Sequence, residues 1–246
     1  MLDDFIKFGG KSSQEYSIHV EKIPSLSSPI RRIREEIVAG RNGALHIDEG
    51  TYEPYDQSYE IYFHDRDHAS PEMAHAIRGW LFSGGLRRLE DSYDLDHYRM
   101  AIFKGPMDVE NTLNEYGRCK VVFRCQPESY RLSGETLHTY QGGSSAGVTL
   151  FNPSAENARP LIKVYGTGSG ELHVSGRTAV IKSIDQHLII DTDLMEAYRQ
   201  DGSGAPESKN GSVRIPEPLV LLPGDNRISW TGGIKKIEII PRWWDA

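Results

Sequence analysis

The chain has 246 residues, of which 38% are hydrophobic and 26% charged, enough for one large domain or two ordinary ones. A formal net charge of −7 argues against a dedicated nucleic-acid binder, because such proteins usually carry a basic excess. Met1 to Asp4 lack the basic and apolar regions of a signal peptide, and no apolar run is long enough to span a bilayer. The 24 glycines and 13 prolines favour many short strands and turns over long helices.

The chain opens with two short strand patterns separated by a tight turn. Phe5 to Phe8 forms the first strand, and Tyr16 to Val20 alternates apolar and polar residues as a second strand does. The turn Gly9 to Ser12 has some features of a phosphate-binding loop. It lacks the first glycine of that motif, and no helix pattern follows it, so a simple turn is predicted.

A β-hairpin is predicted between Pro29 and Tyr52. Its centre is Asn42-Gly43, a strong signal for a two-residue type I′ turn, which needs positive φ at both central positions. A second turn at Glu49-Gly50 is expected to keep the hairpin short. The two strands are indicated by aliphatic residues that keep strand parity: Ile33 and Ile37 before the turn, Leu45 and Ile47 after it.

One persuasive helix follows a half-buried strand that covers Tyr59 to Phe63. Ser70 is a good N-cap and Pro71 suits the first helical position, so a helix is predicted over residues 71–83. Gly84-Gly85 then serves as its C-cap. Apolar residues recur at helical spacing on one face of this segment: Met73, Ile77, Trp80 and Leu81.

Both cysteines lie in a strand that follows an acidic loop, Glu90 to Asp96, and another strand, Tyr98 to Phe103. Cys119 and Cys125 are separated by about 20 Å along an extended strand, whereas a disulfide joins Cα atoms about 4.4–6.8 Å apart. They are therefore predicted to be free thiols that act as small core residues, consistent with assembly in a reducing cytoplasm.

Gln126 to Gly134 lacks clear periodicity and contains turn-forming residues, so we predict an irregular linker there. The linker divides the chain into domains of residues 1–129 and 130–246. Eight or more short strands with no comparable helix indicate a β-sandwich in the second domain. Four of these strands are predicted as separate elements in its centre: residues 160–165, 171–174, 177–182 and 187–190.

The hairpin stretch resembles the distal tail proteins of bacteriophages with long, non-contractile tails. In that family a basic, proline-led strand leads into a Gly-Arg-(Asp/Asn)-Gly turn and then a Gly-Thr/Arg-Tyr step. Ala39 stands where the family usually has a proline. The matching residues are Pro29, Arg31, Arg32, Gly40, Arg41, Asn42, Gly43, Gly50 and Tyr52.

The second half of the chain carries further motifs of the same family, so the resemblance covers nearly the whole chain. Phe151-Asn152-Pro153, followed by Arg159 to Gly168, is similar to the family's F-x-N-P … P-x-I-x-V-x-G-x-G opening. Ile189 to Thr192 is similar to its I-x-I-D-S/T step. The closing P-G-x-N and P-R-W-W motifs are matched by Pro223, Gly224, Asn226, Pro241, Arg242, Trp243 and Trp244.

The resemblance implies a mainly β protein without catalysis or cofactor. An N-terminal β-sandwich-like domain with one helix and the hairpin builds the wall of a ring, usually of six copies. A C-terminal galectin-like or carbohydrate-module-like β-sandwich projects outward. The ring joins the tail tube to the tail-tip or baseplate proteins, and DNA passes through its lumen. The protein is then expected in the virion, at the phage tail tip, after assembly in the host cytoplasm, with no membrane partner.

The hairpin is the candidate contact between neighbouring ring subunits. Charged residues of both signs concentrate on it, and a mixed-sign strand suits a partner surface more than a dry core. The candidate contact residues are Arg31, Arg32, Arg34, Glu36, Arg41, Asn42 and Gly43.

Two polar clusters are candidate metal sites. His64 and His68 are four residues apart and could bind zinc from one helix face, but they precede the predicted helix, so a loop is favoured. Asp94 and Asp96 could hold a hard cation, but the rest of a calcium loop is missing. No catalytic, metal or cofactor residue is assigned.

Two further functions remain open for the second domain. Asp191 and Asp193 raise the possibility of a glycan hydrolase, although neighbours on one strand do not by themselves flank a cleft. A carbohydrate-binding module for host-surface adhesion would use aromatic side chains as a sugar platform, whereas core and interface roles are favoured for them. These aromatic residues are Tyr130, Tyr140, Trp230, Trp243 and Trp244.

Overall fold

The computed structural model describes residues 4–64, 71–107, 110–112, 116–142, 147–200, 202 and 204–246. Strands dominate this part of the chain, which contains one α-helix, so the predicted mainly β fold class is confirmed. The chain divides into two compact units, Met1–Ser129 with Ala246 (unit 1) and Tyr130–Asp245 (unit 2). No helix in the described ranges is long and apolar enough to cross a membrane.

Unit 1 is built from short strands and one helix, with a 3-10 turn at Ser13–Tyr16. Its elements in chain order are β1 (Ile6–Phe8), β2 (Lys11–Ser12), β3 (Ile18–Val20), β4 (Ile30–Ile37), β5 (Ala44–Glu53), β6 (Tyr55–His64), α1 (Pro71–Leu81), β7 (Arg87–Asp91), β8 (His97–Phe103), β9 (Glu110–Thr112) and β10 (Tyr116–Arg131).

Most of these strands form one sheet, in the order β2-β1-β7-β8-β10-β6-β3, with β9 beside β10. Alternate residues of each strand face the core, because side chains in a strand point to opposite sides of the sheet. On β6 these are Tyr59, Ile61 and Phe63, as their alternation predicts. They pack with Phe8 and Phe123 in the hydrophobic core of unit 1.

The helix α1 covers this core with the apolar face that the sequence predicts. Ile77 and Leu81 are buried, and Trp80 donates from Nε1 to the Phe8 carbonyl oxygen at 3.0 Å. The helix ends at Leu81, two residues before the predicted end. Gly84-Gly85 follows it with positive φ at both positions, while the predicted N-cap Ser70 lies outside the described residues.

The predicted irregular linker at Gln126–Gly134 is wrong. Strand β10 continues to Arg131, and a 3-10 turn covers Leu132–Glu135. Pairing of β10 with β6 ends at Cys125, so Pro127 removes no hydrogen bond from that ladder. Proline is typical of irregular structure, but here it lies in a strand, past the end of the β10–β6 pairing.

Unit 2 is composed of strands and a second short 3-10 turn, Asn210–Ser212. Its strands are β11 (His138–Gln141), β12 (Val148–Asn152), β13 (Leu161–Val174), β14 (Arg177–Asp191), β15 (Glu196–Gln200), β16 (Pro206–Ser208), β17 (Val213–Arg214), β18 (Gly224–Trp230), β19 (Ile234–Ile240) and β20 (Trp244–Asp245).

Two long strands, β13 and β14, replace the four separate central strands that the sequence predicts. The main order is β11-β19-β13-β14-β15-β16, and β18 joins β13 near its far end, between Leu172 and Val174. Glycines let β13 bend without ending: a Cβ added at Gly166 would lie 2.0 Å from the Gly233 carbonyl oxygen. Both halves of β13 thereby contribute to one buried core, with Ile162 and Leu172 fully buried.

Candidate assembly surface

Among the strands that the structure describes, β4 and β5 pair only with each other and form a separate two-stranded sheet, which we call the arm (residues 30–53). Every residue of β4 is exposed, and most of β5 is exposed too. The Pro29–Tyr52 hairpin is therefore present, but it leaves the body of unit 1. An isolated two-stranded hairpin is at best marginally stable in water, so this surface is suited to a partner.

The tip of the arm differs from the predicted two-residue turn. Ile37 pairs with Ala44, which leaves residues 38–43 as the loop, and the Arg41 amide donates to the Val38 carbonyl oxygen at 3.1 Å. Gly43 has φ +81, but Asn42 is not among the residues with positive φ, as a type I′ turn would require. The type I′ prediction is therefore wrong, because a local turn inside a longer loop closes the hairpin.

The predicted second turn at Glu49-Gly50 is also wrong, since β5 continues to Glu53. Gly50 has φ +68, and its amide donates to Asp48 Oδ1 at 2.8 Å. The register shifts between Arg31 and Ile33 on the opposite strand. The glycine thus marks a bulge, which bends a strand without ending it.

The register of the arm separates its side chains into two mixed faces. Partners in an antiparallel ladder point to the same side, so Ile33 and Ile37 lie on one face and Leu45 and Ile47 on the other. The first, the Ile37 face, carries Arg31, Ile33, Glu35, Ile37, Ala44, His46, Asp48 and Tyr52. The second, the Leu45 face, carries Arg34, Glu36, Leu45 and Ile47.

Arg31 is the most closely paired charge on the arm. It donates to Asp48 Oδ2 at 2.7 Å and to the Tyr52 hydroxyl at 2.6 Å, with its guanidinium 5.0 Å from the Tyr52 ring centre. The bond from the Gly50 amide and then that from Arg31 lower the pKa of the Asp48 carboxyl. Bonds to Asp48 and Tyr52 raise the pKa of Arg31, so this pair stays charged on an exposed surface.

The remaining charges of the arm are loosely paired. Arg34 lies 3.3 Å from Glu36, Arg32 3.9 Å from Glu53, and His46 3.4 Å from Glu35. Such exposed pairs contribute little to stability, about 0–1 kcal/mol each. They remain available to a partner, as do the exposed side chains of Ile37 and Ile33.

The candidate contact residues fall into two groups in the structure. The arm strand β4 carries Arg31, Arg32, Arg34 and Glu36, whereas the loop at the tip carries Arg41, Asn42 and Gly43. Both groups belong to one protruding element.

Gln57 anchors the base of the arm, and sequence reasoning missed it. Its carboxamide is buried on β6, donates to the Ser25 carbonyl oxygen at 2.9 Å and accepts from the Ser27 amide at 3.2 Å. These bonds hold the segment that enters β4. A polar residue at a core-facing strand position was the only available signal.

The closing motif of the chain is structural in unit 2. Arg242, with φ +59, donates to both oxygens of Asp191 at 2.8 and 2.9 Å. Burial by itself raises the pKa of Asp191, but the Arg242 hydrogen bonds and charge outweigh it, and the pKa is lowered. Asp193 lies 3.2 Å from Arg159, so both carboxylates considered for glycan hydrolysis are engaged in ion pairs.

The P-G-x-N motif closes a tight turn around one buried side chain. Asn226 Oδ1 accepts from the Leu222 amide at 2.7 Å, and Nδ2 donates to the carbonyl oxygens of Leu222 and Gly224. Gly224 adopts φ +84, which favours glycine, and Pro223 lies between these bonded residues. The conformation of this turn accounts for the motif.

The aromatic residues proposed as a sugar platform do not share one exposed surface. Trp230 is buried, and its Nε1 donates to the Gly142 carbonyl oxygen at 2.9 Å. Trp243 is buried, and a Cβ added at Gly134 would lie 2.4 Å from the Trp243 backbone nitrogen. Trp244 donates to the Asn157 carbonyl oxygen at 3.0 Å. The core interpretation of Trp230 and Trp243 is therefore correct.

The other polar clusters have local structural roles where they can be described. Asp94 receives bonds from Arg99 at 3.3 Å and is 2.7 Å from His97. His68 lies outside the described residues, and the His64 side chain is not described either. Among the residues that the structure describes, no group of three or more His, Cys, Asp or Glu side chains could hold a metal ion.

This chain resembles a known protein in its fold. No family model and no curated protein sequence matches this chain. A solved structure does: the SPP1 Dit (gp 19.1) protein, described as a paradigm of the hub adsorption apparatus in phages that infect Gram-positive bacteria. The likeness has a TM-score of 0.74 and covers 96% of this chain and 97% of that one, at 10% sequence identity. The chain thus has the fold of that Dit protein along nearly its full length.

Proposed function

We propose that this chain is a distal tail protein of a long-tailed bacteriophage, a structural component without catalytic activity. Copies of it form a closed ring of six at the tail tip. Unit 1 builds the ring wall. The ring joins the tail tube to the tail-tip or baseplate proteins, and its lumen continues the channel for DNA.

The observation that carries this proposal is the full-length likeness to the SPP1 Dit protein. It agrees with a resemblance based on separate motifs at both ends of the chain, from Pro29 to Trp244. The first line of support uses backbone geometry, and the second uses residue identity. Fold likeness alone does not specify a function, so the assembly itself has to be tested.

The arm supports the assembly part of the proposal. It places charged and aliphatic side chains outside the body of unit 1, where they have no core of their own. A contact between an arm on one copy and a different surface on the next is head-to-tail, and repetition of such a contact about an axis closes a ring. We assign Arg31, Arg32, Arg34, Glu36, Arg41, Asn42 and Gly43 to this contact.

The proposal is tested by imaging and light scattering of the full chain, alone and with the tail-tube protein of the same phage. A closed ring of six copies is expected, if need be only when the tube protein is present. A variant in which two glycines replace residues 31–52 should keep both units folded and remain monomeric. A wild-type monomer that persists at high concentration with the tube protein would contradict the proposal.

A further inference from the structure

The sheet of unit 1 has one covered face and one uncovered face. Leu89 and Ala101 point into the core, so their neighbours along β7 and β8 point outward. The outward residues of β8, together with Leu86 just before β7, form a largely apolar strip, whereas the outward residues of β7, Arg88 and Glu90, form an ion pair at 2.7 Å. We call the apolar strip the Ile102 strip, and it consists of Leu86, Tyr98, Met100 and Ile102.

The strip borders a charged residue of β7. Arg88 pairs with Met100 in the ladder, and its guanidinium lies 3.9 Å from the Tyr98 ring centre. Leu86 and Ile102 are 50% and 39% exposed. Apolar side chains grouped on an uncovered sheet face mark an interaction site more often than scattered ones do.

We propose that the Ile37 face of the arm of one copy docks on the Ile102 strip of a neighbouring copy. This inference rests on the proposed function and identifies the surface that receives the arm. The occupant is a second copy of this chain.

The apolar side chains of the Ile37 face and of the Ile102 strip have the same spacing along their strands. Ile33 and Ile37 are 52% and 87% exposed and four residues apart on β4. Tyr98 and Ile102 are also four residues apart on β8. Each pair spans about 13 Å of strand, so the two sheets can stack with their apolar side chains in register, about 10 Å apart.

The charges of the Ile37 face and of the Ile102 strip are complementary as well. Lys104 follows Ile102 on the outward side, is exposed, and has no ion pair among the residues that the structure describes. On the arm, Glu35 lies between Ile33 and Ile37, and its one ion-pair partner in the described ranges is His46. Counting Arg31, Glu35 and Asp48, the Ile37 face is acidic by one charge, whereas the end of the strip at Lys104 is basic. In the docked arrangement, Lys104 of the neighbouring copy forms an ion pair with Glu35.

Photo-crosslinking in the assembled full-length protein tests the docking. A benzophenone amino acid at Ile102 should crosslink to residues 30–53 of another copy, identified by mixing isotope-labelled and unlabelled chains. The matched control places the same group at Leu95, which is also exposed but lies in the β7–β8 turn. No crosslink to the arm is expected from there.

Two substitutions test which face docks. Ile37→Ser should lower the yield of the Ile102 crosslink about tenfold, because burial of one isoleucine is worth at least that factor in an association constant. Leu45→Ser, on the other face of the arm, should leave the yield unchanged. Lys104→Glu should lower the yield, and adding Glu35→Lys should restore it.

The outcomes separate the docking from the proposed function. A chain that assembles into rings but crosslinks from Ile102 to another segment, or to its own arm, overturns the docking and leaves the ring intact. If Leu45→Ser and Ile37→Ser lower the crosslink yield equally, the assignment of the docking to the Ile37 face is overturned. A chain that never associates overturns both the docking and the proposed function.

Discussion

Arg242 holds Asp191 through two parallel hydrogen bonds, from Nη1 to Oδ1 at 2.8 Å and from Nη2 to Oδ2 at 2.9 Å. The Asp191 side chain is only 5% exposed. Its Oδ1 also accepts from the amides of Asp193 and Leu194. This pair joins the last segment of unit 2 to the end of strand β14.

Asp191→Asn should destabilise unit 2 by about 2–4 kcal/mol, because it leaves the Arg242 charge without its partner. Urea unfolding followed by a probe in unit 2 measures the change. The matched control is Asp193→Asn, which removes an exposed ion pair with Arg159 and should cost less than about 1 kcal/mol. Equal effects of the two substitutions would contradict the structural role of the buried pair.

The same pair predicts a pH dependence. The pKa of Asp191 is lowered in the folded state, so its contribution is present above the unfolded value of about 4 and is lost as pH falls through the folded value. The stability of wild-type unit 2 should therefore fall more steeply below pH about 4 than that of Asp191→Asn. Parallel curves in acid would show that Asp191 is not responsible.

Gly43→Val should impair assembly without unfolding either unit. Gly43 has φ +81 and no atom within 4 Å of an added Cβ, so the cost is backbone strain of about 1–3 kcal/mol. That strain falls on the arm, because stability is not uniform across a structure. Circular dichroism should be unchanged while ring formation is lost. Gly211→Val, in an equally open position without positive φ, is the control, and normal rings from Gly43→Val would remove the tip from the contact.

Gln57→Ala should loosen the base of the arm. It removes the bonds to Ser25 and Ser27, worth about 0.5–1.5 kcal/mol each. Amide hydrogen exchange should accelerate in residues 25–53 and stay unchanged in the core strand β8. Gln141→Ala, a substitution on an exposed strand position of unit 2, should alter neither. Unchanged exchange at Ser27 would show that the carboxamide does not anchor this segment.

Cys119 and Cys125 should resist alkylation in the folded protein and both react once it is unfolded without reductant. Both are buried, and burial raises the pKa of Cys119 to about 11 and that of Cys125 to about 12. The reactive thiolate is therefore scarce at pH 8. Mass spectrometry of the alkylated peptides counts the reacted thiols. A disulfide-linked peptide between the two would contradict their placement on one strand.

Elements with local signals could be predicted from the sequence. Tyr59, Ile61 and Phe63 alternate as a strand does, and they are buried together on β6. The helical spacing of Ile77, Trp80 and Leu81 predicted the face of α1 that packs on the core. The free cysteines and the mainly β class followed from spacing and composition, because these depend on residues close together in the chain.

The bends of the strands and the uncovered surfaces could not be predicted locally, because they depend on contacts between distant parts of the chain. The sequence predicts a turn at Glu49-Gly50 and a strand that ends at residue 165, yet Gly50 and Gly166 both lie within strands, because a glycine permits a bulge or a close backbone approach as readily as a turn. Pro127 lies in a strand because the β10–β6 ladder ends before it, at Cys125. The residue pattern of the arm is that of an ordinary strand. Whether another layer covers it depends on residues distant in the chain, so a local pattern does not predict that the arm is uncovered.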